Sequence, residues 1–240
     1  MRATAVTDIG KTRAVNQDYV YTSVDRVGCL PNLFIVADGM GGHQAGDYAS
    51  RYAIETFLDY IRHTESSNLI RVMDEGIAEA NRKVLEKSFE NEELAGMGTT
   101  MVAAVAQDGK LYVANVGDSR LYVISDMVRQ ITRDHSLVDE MVRLGELNPS
   151  EARSHPDKNI ITRAIGAQKN VKADFFEVEL AEDDYVLMCT DGLTNMVRDE
   201  EILDIVRSEK EPEAIAHKLV RMANDNGGRD NITVTIIKPF

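Results

Sequence analysis

Five aspartates stand at the turns and strand ends that the sequence predicts: Asp18, Asp38, Asp118, Asp191 and Asp230. Taken singly, each of these aspartates has a structural explanation, because aspartate is common in turns. As a set, their carboxylates can converge on one edge of a fold, where oxygen ligands suit hard cations such as Mg²⁺ and Mn²⁺. Gathered carboxylates repel one another, and a pair of divalent ions would relieve that repulsion. The set therefore predicts a metal centre.

The overall charge argues against a nucleic-acid or membrane partner. The 240 residues include 40 acidic and 27 basic side chains, which gives a formal net charge of -13. Nucleic-acid backbones and anionic membrane surfaces repel a chain of this charge. An anionic substrate would need a cationic group in the site, and bound divalent ions supply one.

Cysteine usage and hydropathy indicate a reducing compartment. Cys29 and Cys189 lie far apart in apolar sequence, which favours packing over a disulfide framework or a thiolate zinc site. No segment has the apolar length of a signal peptide or of a membrane span. We therefore expect a cytoplasmic protein without membrane insertion. No exposed apolar repeat calls for an oligomer, so a monomer is expected.

Short apolar runs predict buried strands that end at aspartate-containing turns. Leu33–Ala37 is followed directly by Asp38-Gly39. Tyr185–Cys189 is followed by Thr190 and then by Asp191-Gly192. Between residues 99 and 132, strands alternate with turns at Asp108-Gly109 and at residues 117–119, which predicts a meander of consecutive antiparallel hairpins. The β-branched run Ile232–Ile237 predicts one more strand.

Apolar residues at helical spacing predict long amphipathic helices over residues 49–61 and 69–84. Later helices are predicted with Asp199 as a cap and with Pro212 in the first turn. Strands in hairpins with helices in pairs indicate an α+β sandwich. No repeat or linker divides the chain, so residues 1–240 are predicted to form a single domain. The looser stretch from residue 134 to 166 is predicted to be a surface insertion near the site.

Seven short motifs occur in order along the chain. They are Arg13-x-x-Asn16-Gln17-Asp18, Val36-Ala37-Asp38-Gly39-Met40-Gly41-Gly42, Gly98-Thr99-Thr100, Val116-Gly117-Asp118-Ser119-Arg120, Thr162-Arg163-Ala164-Ile165-Gly166, Thr190-Asp191-Gly192-Leu193 and Gly228-Arg229-Asp230-Asn231-Ile232-Thr233-Val234. In this order they resemble the motifs of the type 2C metal-dependent protein phosphatases, and most of all the minimal single-domain bacterial members. The resemblance extends from about residue 4 to about residue 237.

This resemblance implies a four-layer α/β/β/α sandwich of two antiparallel sheets flanked by helix pairs, with a flap at about residues 146–160. It also implies a two-ion centre of Mn²⁺ or Mg²⁺. Asp38 would bridge the two ions and Asp191 with Asp230 would hold the first. Asp18 and the carbonyl of Gly39 would serve the second.

The implied reaction is hydrolysis of phosphoserine and phosphothreonine in proteins. Asp118, with help from Asp191, would bind a third and weaker ion. Two ions about 4 Å apart lower the pKa of a shared water, so that hydroxide can attack phosphorus in line. Arg13 would bind the substrate phosphate, because its planar fork meets two phosphate oxygens at once.

Two positions depart from the family pattern. Met40 replaces the histidine that serves as the proposed general acid in eukaryotic members, and a thioether cannot donate a proton. His43 is a nearby candidate donor, although a turn histidine can simply be exposed. Water on the third ion is another proton source. Asn195 replaces an aspartate or other polar ligand, which weakens the third site, and His135 is expected to order the insertion rather than to perform chemistry.

Two other functions stay open at this level. A catalytically weak member that binds phosphoproteins as a regulator would be expected to lose a core carboxylate or the phosphate-binding arginine, and this chain retains both. A hydrolase of small phosphate esters would use the same centre, because selectivity resides in the flap and the surrounding surface. The resemblance further implies phosphorylated proteins as substrates and a functional pairing with a Ser/Thr protein kinase in bacterial signalling.

Overall fold

The computed structural model of the chain describes residues 1–42, 45–153 and 155–240. In these ranges the strands are β1 (Arg2–Asp8), β2 (Asp18–Ser23), β3 (Leu33–Met40), β4 (Gly98–Thr99), β5 (Met101–Gln107), β6 (Lys110–Val116), β7 (Arg120–Ile124), β8 (Val128–Gln130), β9 (Asp174–Glu179), β10 (Tyr185–Cys189) and β11 (Ile232–Lys238). They form two antiparallel sheets. The first has the order β1-β11-β10-β7-β8, and the second has the order β2-β3-β5-β6-β9 with β4 beside β3.

Helices lie outside both sheets. In chain order they are α1 (Ala45–His63), α2 (Leu69–Ser88), α3 (Leu137–Arg143), α4 (Pro149–Ala152), α5 (Asp191–Thr194), α6 (Asp199–Ser208) and α7 (Pro212–Asp225). A 3-10 turn over Glu92–Leu94 precedes β4. Across the described ranges, no helix combines the length and the apolar character that a membrane crossing requires.

Three apolar layers hold the sheets and helices together. Adjacent residues of one strand point to opposite faces of its sheet, so each central strand contributes to two layers. In β3, Ile35 packs under α1 and α2 whereas Phe34 packs between the sheets. In β10, Met188 faces the same inter-sheet layer and Leu187 packs against α6 and α7. The predicted four-layer α/β/β/α sandwich is therefore confirmed.

The long elements occur where the sequence places them, and the edge strands β1, β2 and β9 were missed. Strands over residues 33–37, 185–189 and 232–237 and both long helices are present. Strands β1, β2 and β9 had no prediction, because their residues are mostly half-buried and lack a continuous apolar run. The later helix begins at Asp199 with Arg198 as its cap residue, so the cap predicted at Asp199 is wrong by one position.

The predicted hairpin at residues 117–119 is wrong, because β6 and β7 belong to different sheets. Gly117 has φ +103°, and a Cβ atom there would lie 2.5 Å from Thr100 Cγ2. A residue other than glycine is strained at such a φ and would collide with Thr100, between β4 and β5. The chain therefore crosses from one sheet to the other at this point, and it places Asp118 at the crossing.

Truncation of Phe34 tests the inter-sheet layer. Phe34 is 0% exposed, whereas Phe89 at the end of α2 is 81% exposed. We expect Phe34→Ala to lower the free energy of unfolding by about 3–5 kcal/mol, through lost burial and a residual cavity. Phe89→Ala should change it by less than about 0.5 kcal/mol. Urea denaturation of both variants measures the difference, and equal effects would contradict the assigned layer.

Candidate metal centre

Asp18 and Asp38 are brought together by the pairing of β2 with β3, in which they stand directly opposite each other. Asp18 is 5% exposed. Its Oδ2 accepts hydrogen bonds from Thr190 Oγ1 at 2.8 Å and from Thr233 Oγ1 at 2.7 Å. Its Oδ1 is buried without a hydrogen-bond partner. Both hydroxyls come from the first sheet, so the two sheets are joined at this carboxylate.

The backbone around Asp38 is fixed from two sides. The Asp38 N–H donates to Thr100 Oγ1 at 2.8 Å, and the Thr100 N–H donates to the Asp38 carbonyl at 2.9 Å. The next residue has no room for a side chain, since a Cβ atom on Gly39 would lie 1.9 Å from the Gly46 carbonyl oxygen. The Asp-Gly pair is thus locked between β5 and the first turn of α1.

Asp230 precedes β11 and is anchored by its neighbour Asn231. The Asn231 amide accepts from the Gln17 N–H at 2.8 Å and donates to the carbonyls of Ile9 and Val15 at 3.0 Å. This ties the loop before β2 to the start of β11. From that loop, Arg13 Nη2 donates to Asp230 Oδ2 at 2.8 Å. Arg13 is exposed on its other side.

Asp118 lies in the crossing between the sheets, and His135 holds that crossing in place. The Gly117 N–H donates to His135 Nδ1 at 3.0 Å, and the His135 N–H donates to the Gly117 carbonyl at 3.1 Å. The other ring nitrogen, Nε2, lies 3.1 Å from Asp174 Oδ2 and 3.0 Å from Arg163 Nη1. Burial lowers the pKa of His135, which keeps the ring neutral in this role. Asp118 itself is 7% exposed, and its Oδ1 has no hydrogen-bond partner.

Asp191 begins α5, and the side chain one turn later contacts it. Asn195 Nδ2 donates to Asp191 Oδ2 at 2.9 Å, and Asn195 Oδ1 accepts from Lys158 Nζ at 2.9 Å. These residues and Asp118 line one cavity of about 750 Å³, which Pro149, Arg153 and Asn159 also line. Described residues on both sides of position 154 therefore border the cavity that holds Asp118 and Asp191.

The carboxylates destabilise one another's charged forms. Burial raises the pKa of Asp18 to about 7, and Asp191 and Asp230 add to the shift against the two threonine hydrogen bonds. Burial followed by Asp191 raises the pKa of Asp118 to about 8. Burial and then Asp230 raise that of Asp191 to about 6. The pKa of Asp38 is raised well above its usual range, by burial and then by the other four aspartates.

The donor set fits a hard divalent cation. Among the described residues, no group of three or more His, Cys, Asp or Glu side chains is arranged to hold a metal ion by itself. The fit rests instead on the buried oxygens Asp18 Oδ1 and Asp118 Oδ1, which lack any partner, in a site where four carboxyl groups hold raised pKa values. Buried charge without a partner is costly, and a cation would supply the partner.

The pattern of the protein phosphatase 2C family matches residues 29–232. The chain belongs to this family. A serine/threonine phosphatase of Listeria innocua is 39% identical over 245 residues, which cover 99% of this chain and 96% of that protein. The protein is accordingly a Ser/Thr protein phosphatase of the 2C type, a metal-dependent family.

Solved structures of related phosphatases share the fold over nearly the whole chain. The serine/threonine phosphatase Stp1 of Staphylococcus aureus superposes with a TM-score of 0.90 at 36% identity, covering 98% of this chain and 93% of that one. The catalytic domain of the phosphatase PstP, in complex with two manganese ions, superposes with a TM-score of 0.85 at 32% identity, covering 98% and 96%.

The phosphatase structure brings together all of the aspartates that the sequence singled out, since each of the other four acts on the pKa of Asp38. The prediction for His43 falls outside the described residues. Sequence reasoning missed the polar residues that fix the aspartates, namely Thr190, Thr233, Asn231 and Lys158. Thr190 and Asn231 stand inside the quoted motifs beside an aspartate, and that adjacency is the signal that could have found them.

The raised pKa values predict that the metal-free phosphatase loses stability as pH rises. Asp18 titrates near 7 in the folded chain and near 3.9 when unfolded, so the folded state binds the proton more tightly. The stability contributed by protonation is then present at low pH and is lost between about pH 4 and pH 8. Asp18→Asn should gain roughly 2 kcal/mol over the native chain at about pH 8 and little at about pH 4.

Urea denaturation in a chelator, repeated over this pH range, measures the effect. Asp25→Asn, on the exposed surface beyond β2, is the control for loss of one negative charge. An equal gain at both pH values, or an equal gain in the control, would contradict the buried carboxyl as the cause.

Proposed function

We propose that this phosphatase hydrolyses phosphoserine and phosphothreonine in proteins at a centre of two divalent ions, with a third, weaker ion beside it. The observation that carries the proposal is the pair of buried carboxylate oxygens, Asp18 Oδ1 and Asp118 Oδ1, that have no partner among mutually repelling aspartates. Two ions at the core would offset that repulsion. The related PstP domain binds two manganese ions, which supports Mn²⁺ or Mg²⁺ here.

The residues that would hold the core ions come from four elements of the fold. Asp38 would bridge them, Asp191 and Asp230 would hold the first, and Asp18 with the carbonyl of Gly39 would hold the second. Asp118 would hold the third with Asp191. When bound, such ions lower the pKa of water so that hydroxide is available near neutral pH.

The chain's own residues bind and orient the phosphate. Among the described residues, Arg13 is the only arginine that forms an ion pair with one of the five aspartates, and its guanidinium is half-exposed at the mouth of the site. The ion pair with Asp230 aims the guanidinium at the centre, and its other N–H groups can donate to two phosphate oxygens. Met40 lies in β3 beside Gly39 and has no proton to give, so the proton for the leaving serine or threonine comes from another group. His43 and water on the third ion are the two candidates.

The family and its relatives indicate the substrate class. The match to the protein phosphatase 2C family and the relatives named serine/threonine phosphatases favour phosphoproteins over small phosphate esters. All five aspartates and Arg13 are retained, which favours an enzyme over a phosphoprotein-binding regulator. We further propose that residues 1–240 act as a single catalytic domain, as a cytoplasmic monomer, and that a Ser/Thr protein kinase supplies the phosphoproteins.

Metal removal and substitution of Asp38 test the centre. Phosphate release from a phosphothreonine peptide should require added Mn²⁺ or Mg²⁺ and stop in a chelator. Asp38→Ala and Asp191→Ala should each lower kcat/KM by about a thousandfold or more, because the core ions lose a ligand. The double variant Cys29→Ser, Cys189→Ser is the control and should stay active. Metal-independent turnover, or full activity in both aspartate variants, would refute the mechanism.

Substitution of Arg13 tests phosphate binding. Arg13→Ala should lower kcat/KM by about 10- to 100-fold, because a charge-assisted contact with the phosphate is lost. Arg13→Lys should recover only part of the loss, since an ammonium cannot make the two-pronged contact. Arg26→Ala, which removes an exposed arginine with a local backbone contact, is the matched control. Steady-state kinetics that show no difference between Arg13→Ala and Arg26→Ala would contradict the role.

A further inference from the structure

Two loops beside the aspartates contact each other and contain cations that the catalytic scheme does not use. The loop after β1 contributes Lys11, and the loop after α7 contributes Arg229. The Lys11 N–H donates to the Gly228 carbonyl at 2.7 Å. Arg13, to which the proposed function assigns the substrate phosphate, is two residues from Lys11, and Arg229 directly precedes Asp230. The three cations therefore lie on neighbouring backbone segments at one side of the site.

The backbone that holds Arg229 is fixed from two sides. A Cβ atom on Gly10 would lie 2.2 Å from the Asp230 carbonyl oxygen, and Gly10 has φ +78°, so only glycine lets the two loops pack this closely. On the other side, Asn226 Nδ2 donates to the Met196 carbonyl at 2.9 Å. This hydrogen bond ties the loop after α7 to the residues after α5. Arg229 is thus presented from a rigid part of the surface.

The guanidinium of Arg229 is available to a ligand. Arg229 is exposed, and within residues 1–42, 45–153 and 155–240 its side chain forms no hydrogen bond or ion pair. The adjacent Asp230 pairs with Arg13 instead. Lys11 Nζ is 3.7 Å from Asp225 Oδ1, and both side chains are more than half exposed. Such an exposed pair contributes little, so an anionic ligand can take the place of Asp225.

These side chains suit an anionic group on the substrate. The planar fork of arginine matches a carboxylate or a phosphate, and lysine adds a point charge. An extended chain rises about 3.3 Å per residue, so residues two to four positions from the phosphoresidue lie roughly 7–13 Å from it. Asp230 contacts Arg13, and the Cα atoms of Asp230 and Arg229 are about 3.8 Å apart. Arg229 is therefore within reach of a side chain at those positions.

We propose that Arg229 and Lys11 form a second anion-binding subsite, which selects phosphoproteins that have another anionic group, a carboxylate or a second phosphate, near the phosphoserine or phosphothreonine. This rests on the proposed function, because it takes Arg13 to bind the phosphate that is hydrolysed. The subsite contacts a part of the substrate that does not react, so it stabilises the bound substrate and the transition state equally. It acts on KM rather than on kcat.

Phosphate release from three phosphothreonine peptides of equal length tests the proposal. The first has only alanine around the phosphothreonine, and the second has glutamate two and three positions away on each side. The third has a phosphonate side chain, which resists hydrolysis, at those positions. With Mn²⁺ present, the native chain should show a kcat/KM about 5- to 20-fold higher for the second or third peptide than for the first. Added salt should reduce the difference.

A preference for both anionic peptides would show that a carboxylate is sufficient, and a preference for the phosphonate peptide alone would show that the subsite takes a second phosphate. Either result supports the proposal, and the comparison distinguishes the two sources of the anion.

Arg229→Gln and the double variant Lys11→Gln, Arg229→Gln remove the charges. Arg229→Gln should raise KM for the preferred peptide about 3- to 10-fold with kcat unchanged, and the double variant should raise it further. On the alanine peptide, both should stay within about twofold of the native chain. Arg229→Lys should retain part of the preference, because it keeps the charge without the planar fork. Arg26→Gln is the matched control, since Arg26 is an exposed arginine beyond the end of β2 opposite Asp18.

The proposal is overturned if the native chain shows no preference among the peptides, or if Arg229→Gln lowers kcat/KM equally on all three. It is also overturned if Arg26→Gln loses the preference as Arg229→Gln does. In each of these cases, metal-dependent turnover of the alanine peptide leaves the proposed function intact. Absence of metal-dependent turnover of every peptide by the native chain would overturn both.

Discussion

Mutual repulsion among carboxylates at the edge where the two sheets meet is the constraint on which the rest of this structure depends. Hydrogen bonds offset part of this repulsion: two threonine hydroxyls donate to Asp18, and the Asn195 amide donates to Asp191. These partners are uncharged. Arg13 pairs with Asp230 on the exposed side, and Arg120 and Lys158 lower the pKa of Asp191, but burial and Asp230 outweigh them. The negative charge is therefore only partly compensated inside the fold. A site of this kind favours divalent ions, which bind to carboxylate oxygens and offset their charge.

The backbone around these carboxylates is held rigid by neighbouring elements, and this rigidity keeps the carboxylates together despite their repulsion. Each aspartate stands on a turn that a neighbouring element fixes: Thr100 holds the end of β3, Asn231 holds the start of β11, and His135 holds the crossing at Gly117. Because the turns are held by groups that are not metal ligands, the aspartates cannot relieve their repulsion by moving the backbone. The site is thus preorganised by its surroundings rather than by its ligands.

The sequence revealed those parts of the fold that depend on local patterns. Long apolar runs such as residues 33–37 and ordered motifs around each aspartate identified the central strands and the carboxylates. The pairing of strands depends on contacts between distant segments, so the sequence pattern wrongly predicted a hairpin at the crossing between β6 and β7. The half-buried edge strands β1, β2 and β9 lack the apolar signal of a core strand. The contact of Lys158 with Asn195 could not be predicted, because it joins an irregular segment to a helix 37 positions away.

The pairing of β1 with β11 has a consequence for when activity can appear. Asp18 and its partner Thr233 are 215 positions apart, and β11 lies between β1 and β10 in the first sheet. A nascent chain without β11 has neither the hydroxyl of Thr233 nor the carboxylate of Asp230, and its first sheet is split into two parts. Contacts this distant form late and slowly. The order of strands alone therefore keeps the enzyme inert on the ribosome until its last strand has been made.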